Sequence, residues 1–287
     1  MTKKNLNYFF VLYLFIICNS CKKEELVLPS YLSVQELKLV TTVAQGSSKH
    51  NFKDVWVFVG GNYIGAYEVP FTVPVSTLGT QEVEMFAGIR VNGVLTIAAR
   101  YALCDSYKNT HNFISQDTIV VKPVFVYSSE VKFPFHENFE SLHFFNEERD
   151  GDLDTKMVNS GASESFEGAN SGLIELSASN PNIETWYDFD RVIPVSTNAV
   201  YLEFHYKSDI PFSIGFVAFK QGLFDKKYLN ATVLPKGEWT RVYFDFGPIL
   251  NVSEASSYKI AIAASFKEDL GKAKQRILID NLKVGHR

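Results

Sequence analysis

The chain has 287 residues, 46% hydrophobic and 14% aromatic, with 28 basic against 32 acidic residues and a net charge of −4. That mild acidity argues against a nucleic-acid-binding protein, which needs clustered Lys and Arg. The densest basic stretches, Lys220 to Lys227 and Lys267 to Arg276, are interrupted by acids and read as solvated loops.

Residues 1–20 carry Lys3 and Lys4, an unbroken apolar run of 11 residues from Tyr8 to Cys18, then Asn19-Ser20. A positive start, a short apolar stretch and a small residue before a break make a secretory signal peptide. The run is too short to span a bilayer, which takes about 20 residues. Cys21 follows Ser20 directly, and Lys22-Lys23-Glu24-Glu25 comes next. The pair Ser20-Cys21 resembles the lipobox of bacterial lipoproteins, although Cys18 stands where that motif usually has an aliphatic residue. The charged tetrapeptide resembles the export tag of surface lipoproteins in Bacteroidota. These resemblances imply acylation of Cys21, a tether over 21–30, and anchoring to the outer membrane with the body facing the exterior. Acyl chains contribute about 0.8 kcal/mol per buried methylene, so a multiply acylated cysteine would stay anchored.

Removal of the leader takes Lys3 and Lys4 with it, leaving 26 basic residues against 32 acidic ones, a net of −6. With Cys18 lost and Cys21 lipidated, Cys104 stands alone and no disulfide framework can form within the chain. Cys104 reads as a small buried apolar residue rather than a nucleophile. The mature body is long enough for two domains. Its short β-rich segments, bounded by Gly, Pro, Asn and Ser, predict an all-β protein.

The first domain, 31–128, is expected to hold about seven strands, the usual number for a small sandwich. They are predicted at Leu37–Thr42, Asp54–Val59, Tyr63–Val69, Phe71–Val73, Gln81–Phe86, Val94–Ala99 and Thr118–Val121. Val55, Val57 and Val59 alternate with Trp56 and Phe58, so the second strand is predicted to be covered on both faces, with Trp56 in the core. Gly60-Gly61-Asn62 supplies a hairpin turn. Pro70 and Pro74 place the Phe71 run at a sheet edge. Arg90, Arg100 and Tyr101 are expected on solvated surface. The run from Asp54 to Pro70 resembles small immunoglobulin-like and PEGA-type extracellular modules, and also the first domain of certain Bacteroidota lipoproteins. That likeness implies a spacer or binding platform without catalysis.

The second domain, 132–287, is predicted to hold about nine strands, enough for two packed antiparallel sheets. Asn138-Phe-Glu140, Gly237-Glu-Trp-Thr-Arg-Val-Tyr-Phe244 and Ile279-Asp-Asn-Leu282 resemble the galactose-binding-like jelly rolls of carbohydrate-binding modules. The fold class expected is therefore an immunoglobulin-like sandwich followed by a jelly roll. By two-residue alternation Leu278, Asp280, Leu282 and Val284 should share an apolar face, where a carboxylate must be paired or metal-bound. The resemblance implies one structural calcium shared by Glu140 and Asp280; the alternative is Asp280 capping backbone amides or facing solvent at a sheet end. Asp150-Gly-Asp-Leu-Asp154 lacks the Gly and Glu of an EF-hand loop and reads as a solvated loop, with a weak calcium site as the second reading.

Sugar recognition in such modules uses aromatic rings stacked on pyranose faces. The candidates are Trp186, Tyr187, Tyr201 and His205, with core packing as the competing reading for Trp186. Tyr201, Glu203 and His205 share one face of a strand, opposite Leu202, Phe204 and Tyr206, and the polar set is expected to face out. Trp239 is assigned to structural packing. No nucleophile elbow, His-Glu-x-x-His or phosphate-cradling Gly loop is present. The expectation is a non-catalytic lipoprotein binding an extracellular ligand such as a glycan. The alternatives are an accessory subunit of an outer-membrane protein complex and a polysaccharide-acting enzyme on a jelly-roll frame.

Overall fold

The structure is a computed structural model describing residues 28–93, 96–194 and 199–287. The leader and Cys21 lie outside the described residues, so the lipid anchor stays a proposal. The described chain is nearly all β, as the short apolar runs and turn residues require. No helix among the described residues is long and apolar enough to cross a membrane.

The N-terminal unit is built from β1 (Ser30–Val34), β2 (Lys38–Val40), β3 (Asp54–Val59), β4 (Asn62–Glu68), β5 (Phe71–Val75), β6 (Gly79–Arg90), β7 (Ala98–Arg100), β8 (Tyr107–Phe113), β9 (Thr118–Val121) and β10 (Val124–Val126). Strands β4, β3, β6 and β7 lie side by side, with β8 also pairing β6; β5, β1 and β9 form a second sheet, and β10 pairs β2. Gly60 and Gly61, at φ 54° and 78°, turn β3 into β4 with the positive φ angles a tight hairpin needs. Strand β5 has an edge position, where the missing N–H of Pro74 costs no ladder bond. Val55, Val57 and Val59 are buried as expected. Trp56 and Phe58 are only half-buried, because no second layer covers that face of β3.

The C-terminal unit follows with β11 (Lys132–Glu137), β12 (Phe145–Glu148), β13 (Val158–Asn159), β14 (Gly172–Ser177), β15 (Asn182–Tyr187), β16 (Val200–Ser208), β17 (Phe212–Phe219), β18 (Lys226–Val233), β19 (Lys236–Asp245), β20 (Ser257–Ser265) and β21 (Lys274–His286). One sheet runs β13-β14-β21-β16-β19, with β11 also on β21; the other runs β12-β15-β20-β17-β18. Their facing sides enclose the larger core, including Phe204, Phe216, Phe244, Ile260 and Ile279. A fully buried side chain of this kind contributes about 1.5–3 kcal/mol of transfer free energy.

Strand β21 breaks the predicted alternation. Asn281 sits at φ 50°, and the register with β16 slips there: Glu203 faces Lys283, while His205 faces Asp280. The extra residue is a β-bulge, which re-aims the side chains on either side of it. Ile277 and Ile279 then point inward before the bulge, and Leu282 and Val284 after it. Asp280 is thereby turned away from the apolar face expected for it, and shares the outer face with its pair partner His205.

That outer face is the second surprise. Tyr201, Glu203 and His205 do point away from the core, but all three are buried. The N-terminal unit covers Tyr201 and Glu203 instead of water, with Tyr201 and Tyr243 joining its apolar cluster, while Phe166 stacks over His205. Backbone bonds clamp the contact. Asn92 N–H donates to the Tyr243 carbonyl at 2.8 Å, and Asn51 N–H donates to Tyr243 Oη at 3.0 Å. Asn51 Nδ2 reaches the Arg241 carbonyl at 3.1 Å, and Asp245 N–H reaches Asn92 Oδ1 at 3.1 Å.

Candidate functional site

The structure does not bring the four nominated ligand residues together. Trp186 and Tyr187 are successive on β15 and so point to opposite faces. Tyr187 lies in the core, edge-on to Phe135 and Phe145. Trp186 lies on the outer face of the five-stranded sheet, yet is only 5% exposed. The Arg149 guanidinium covers its ring at 4.3 Å, and its indole N–H donates to Glu184 Oε1 at 2.9 Å. Neither ring offers a free face to a sugar. Tyr201 is packed against Tyr101, with ring centroids 5.3 Å apart, inside the contact between the units. Only His205 borders a cavity.

Glu140 and Asp280 both hold the segment 161–171. The Glu140 carboxylate accepts the Ala169 N–H at 2.9 Å and the Asn170 N–H at 3.2 Å. Asp280 Oδ2 accepts from Ser171 Oγ at 2.8 Å, Glu167 N at 3.2 Å and Phe166 N at 3.3 Å. Burial still raises the Asp280 carboxyl, to about 6, against the pull of those donors. This donor set does not fit calcium, which wants six or more oxygens, because the lone pairs already face N–H and O–H groups. Among the described residues no cluster of three or more His, Cys, Asp or Glu could hold an ion. Addition of EDTA to the calcium-equilibrated protein should therefore leave its melting midpoint unchanged in differential scanning calorimetry. A drop of several degrees would restore the metal.

Under the N-terminal unit lies a buried charge cluster that no sequence pattern announced. Glu203 is 1% exposed and Arg241 3%. Arg241 Nη2 stands 2.9 Å from Glu203 Oε2, and Lys283 Nζ stands 3.7 Å from Oε1. The hydroxyls of Tyr101 and Tyr127 donate to Oε1 at 3.0 and 3.2 Å. Tyr101, expected on the surface, is thus a buried contact to the other unit. Lys283 Nζ also donates to the Gln45 carbonyl at 2.8 Å and sits 4.5 Å above the Tyr127 ring. Burial pushes the Glu203 carboxyl up, but Arg241 and Lys283 outweigh it and hold the group below the usual carboxylate range. For Lys283 burial prevails over the pull of Glu203, lowering it to about 8. Burial likewise pushes the Cys104 thiol up, which makes it inert.

Beside this cluster the two units leave a cleft of about 1550 Å³. Edge strand β19 forms one wall; β2 and the segment leading into β3 form the other. Trp239 and Phe166 stand half-exposed at its side, 5.5 Å apart, and Phe166 stacks on His205 at 3.9 Å. His205 Nδ1 meets Arg241 Nη1 at 3.2 Å. Burial first, then Arg241, Lys283 and Lys49, depresses the imidazole to about 2, so it is neutral and acts as an acceptor there. Glu68 is the one acid among the described lining residues, so they offer no pair of carboxylates. Trp239, assigned to packing in the sequence, is a missed candidate; its sole local signal was its place among polar residues, Gly237-Glu238 before it and Thr240-Arg241 after it.

No protein-family model matches the chain, and no curated protein matches it in sequence. Among solved structures it is similar to a family 30 carbohydrate-binding module from a cellulosomal cellulase of Clostridium thermocellum. That likeness has a TM-score of 0.40 and 11% identity, and covers 54% of this chain and 96% of the other. A family 61 module solved with β-1,4-galactotriose gives 0.32 at 16% identity, over 51% and 100%. A carbohydrate-binding module of the β-sandwich superfamily gives 0.35 at 14%, over 81% and 84%.

Proposed function

We propose that this protein is a non-catalytic glycan-binding protein that takes its ligand in the cleft between the two units. The observation that carries this is the pair Trp239 and Phe166, half-exposed beside polar groups in the cleft between the two units. Small-molecule pockets run to about 300–1,000 Å³, so a space of this size suits several linked sugar units. An aromatic ring offers a flat apolar face to a pyranose, and Asn51, Thr240 and Ser48 supply hydrogen-bonding side chains around it. Retention at the outer surface by acylated Cys21 belongs to the same proposal and is supported by Ser20-Cys21 and the charged residues after it.

The test is a glycan array probed with the full-length protein in detergent. Hits should fall at least tenfold in affinity on Trp239→Ala and stay unchanged on Trp186→Ala, whose ring is already covered. Equal loss with both variants, or no hit at all, would overturn the reading. An accessory role in an outer-membrane assembly has one observation in its favour, the half-open aromatic face of β3 and β6 with Phe58, Phe86 and the 54%-exposed Tyr63. Crosslinking on intact cells should trap a protein partner there if that role is correct.

A further inference from the structure

We infer that the cleft selects an acidic saccharide, a polymer carrying carboxylate or sulfate groups; this rests on the glycan-binding reading and narrows it. Six cationic side chains line the cleft, Lys38, Lys49, Lys53, Arg90, Lys236 and Arg241, against the single acid Glu68. This is a reversal of the chain's overall charge of −4.

The six are not equivalent. Arg90 is committed to Asp54 at 2.9 Å, with Glu68 at 3.8 Å, and Arg241 to Glu203. Lys38, Lys49, Lys53 and Lys236 are exposed, and among the described residues none of them has an acidic partner. Lysines elsewhere on the surface commonly do: Lys122 meets Glu36, Lys227 meets Glu184, Lys272 meets Asp209 and Lys274 meets Glu175. The four free ammonium groups come from both walls, three from the N-terminal unit and Lys236 from β19, so a ligand lying along the cleft meets charge on either side.

The buried cluster beside the cleft has an excess of the same sign. It holds one acid, Glu203, against two bases, Arg241 and Lys283. Arg241 Nε has no hydrogen-bond partner among the described residues. Low-dielectric walls focus such an excess into a cleft and raise the local concentration of anions. Charge on four separate side chains suits a polymer with spaced anionic groups, and Trp239 gives the intervening sugar ring a surface. A nucleic-acid chain carries charge of the same sign, so single-stranded DNA is the discriminating probe.

The experiment uses full-length protein in detergent micelles and biolayer interferometry. The probes are polygalacturonate and chondroitin sulfate, with neutral galactan and xyloglucan as controls, each at 50 and 300 mM NaCl. The acidic polymers should bind more tightly than the neutral ones and weaken with salt. An exposed ion contact is worth about 1.4- to 5-fold in affinity, so K49Q/K53Q/K236Q should lose about tenfold and flatten the salt dependence. The arginine versions of the same three positions should retain binding. Neutral polymers bound through Trp239 with no effect of the glutamine changes would overturn the acidic preference and leave glycan binding standing. Failure of all four polymers to bind would sink glycan binding itself. Single-stranded DNA held as tightly as polygalacturonate, with the same sensitivity to the three changes, would refute selection for a saccharide.

Discussion

Glu203→Gln should destabilise the protein by about 3–5 kcal/mol, the usual cost of removing one member of a buried ion pair. The amide keeps the shape and can still accept from Tyr101 and Tyr127, so the change isolates charge. What it strands is Arg241 and Lys283, 3% and 1% exposed, with no remaining counter-ion in the cluster. Domains are stable by about 5–15 kcal/mol, so this single loss approaches the whole margin. Urea unfolding followed by circular dichroism measures it. Lys283 is the softer of the two cations, already lowered to about 8 by burial against the attraction of Glu203. Without that attraction it should shed its proton more readily, so the variant's deficit should be smaller at pH 9 than at pH 7. In a double-mutant cycle, Lys283→Met added to Glu203→Gln should cost less than the sum of the single changes. A deficit under 1 kcal/mol at pH 7 would mean that water reaches the cluster.

Acidification should expose the second large effect, through His205. Its imidazole is held down to about 2 in the folded chain, chiefly by burial and then by Arg241, Lys283 and Lys49, against the ordinary 6.5. Because the folded value is the lower one, the unfolded chain takes up the proton first. The stability tied to neutral His205 is therefore complete above pH 6.5 and drains away as pH falls below it. At pH 4.5 the deficit is about 2–3 kcal/mol. Asp280 and Glu148 work in the opposite sense: burial raises them to about 6 and about 7, so the folded state binds their protons first. The comparison that isolates His205 is thus the difference in slope between the native protein and His205→Gln over pH 4.5–6.5. The native slope should exceed the variant's by close to one proton. Parallel curves would show that the imidazole already titrates normally in the folded protein.

What could be read from the residues was whatever is encoded locally. The alternating valines of β3, the apolar run of β17 and the Gly60-Gly61 hairpin are legible because strand period and turn chemistry act over a few residues. Strand β8, Tyr-Lys-Asn-Thr-His-Asn-Phe, was missed because five polar residues hide a strand that pairs only along β6. The Asp280–Asn281 bulge was missed for a different reason: alternation carries no mark where an extra residue enters, and one slip reverses every side chain beyond it. The polar face of β16 was correctly separated from the apolar one, yet sent to solvent, since a strand's own pattern cannot tell another protein surface from water. Trp186 illustrates the same limit, being covered by an arginine that no spacing rule connects to it. The cleft was beyond reach altogether, because Lys49 and Trp239 are joined only by the docking of two separately patterned units.

The clamp made by Asn51 and Asn92 on β19 has a kinetic corollary. With both jaws fastened at their base in the free protein, the recess is pre-organised, and capture requires no hinge to swing. Encounter should then proceed in one bimolecular step whose observed rate rises linearly with ligand concentration. Asn51→Ala and Asn92→Ala remove the two side-chain bonds but leave the two backbone N–H bonds to Tyr243, so the rate should stay linear in ligand, and a plateau would show that the jaws reopen.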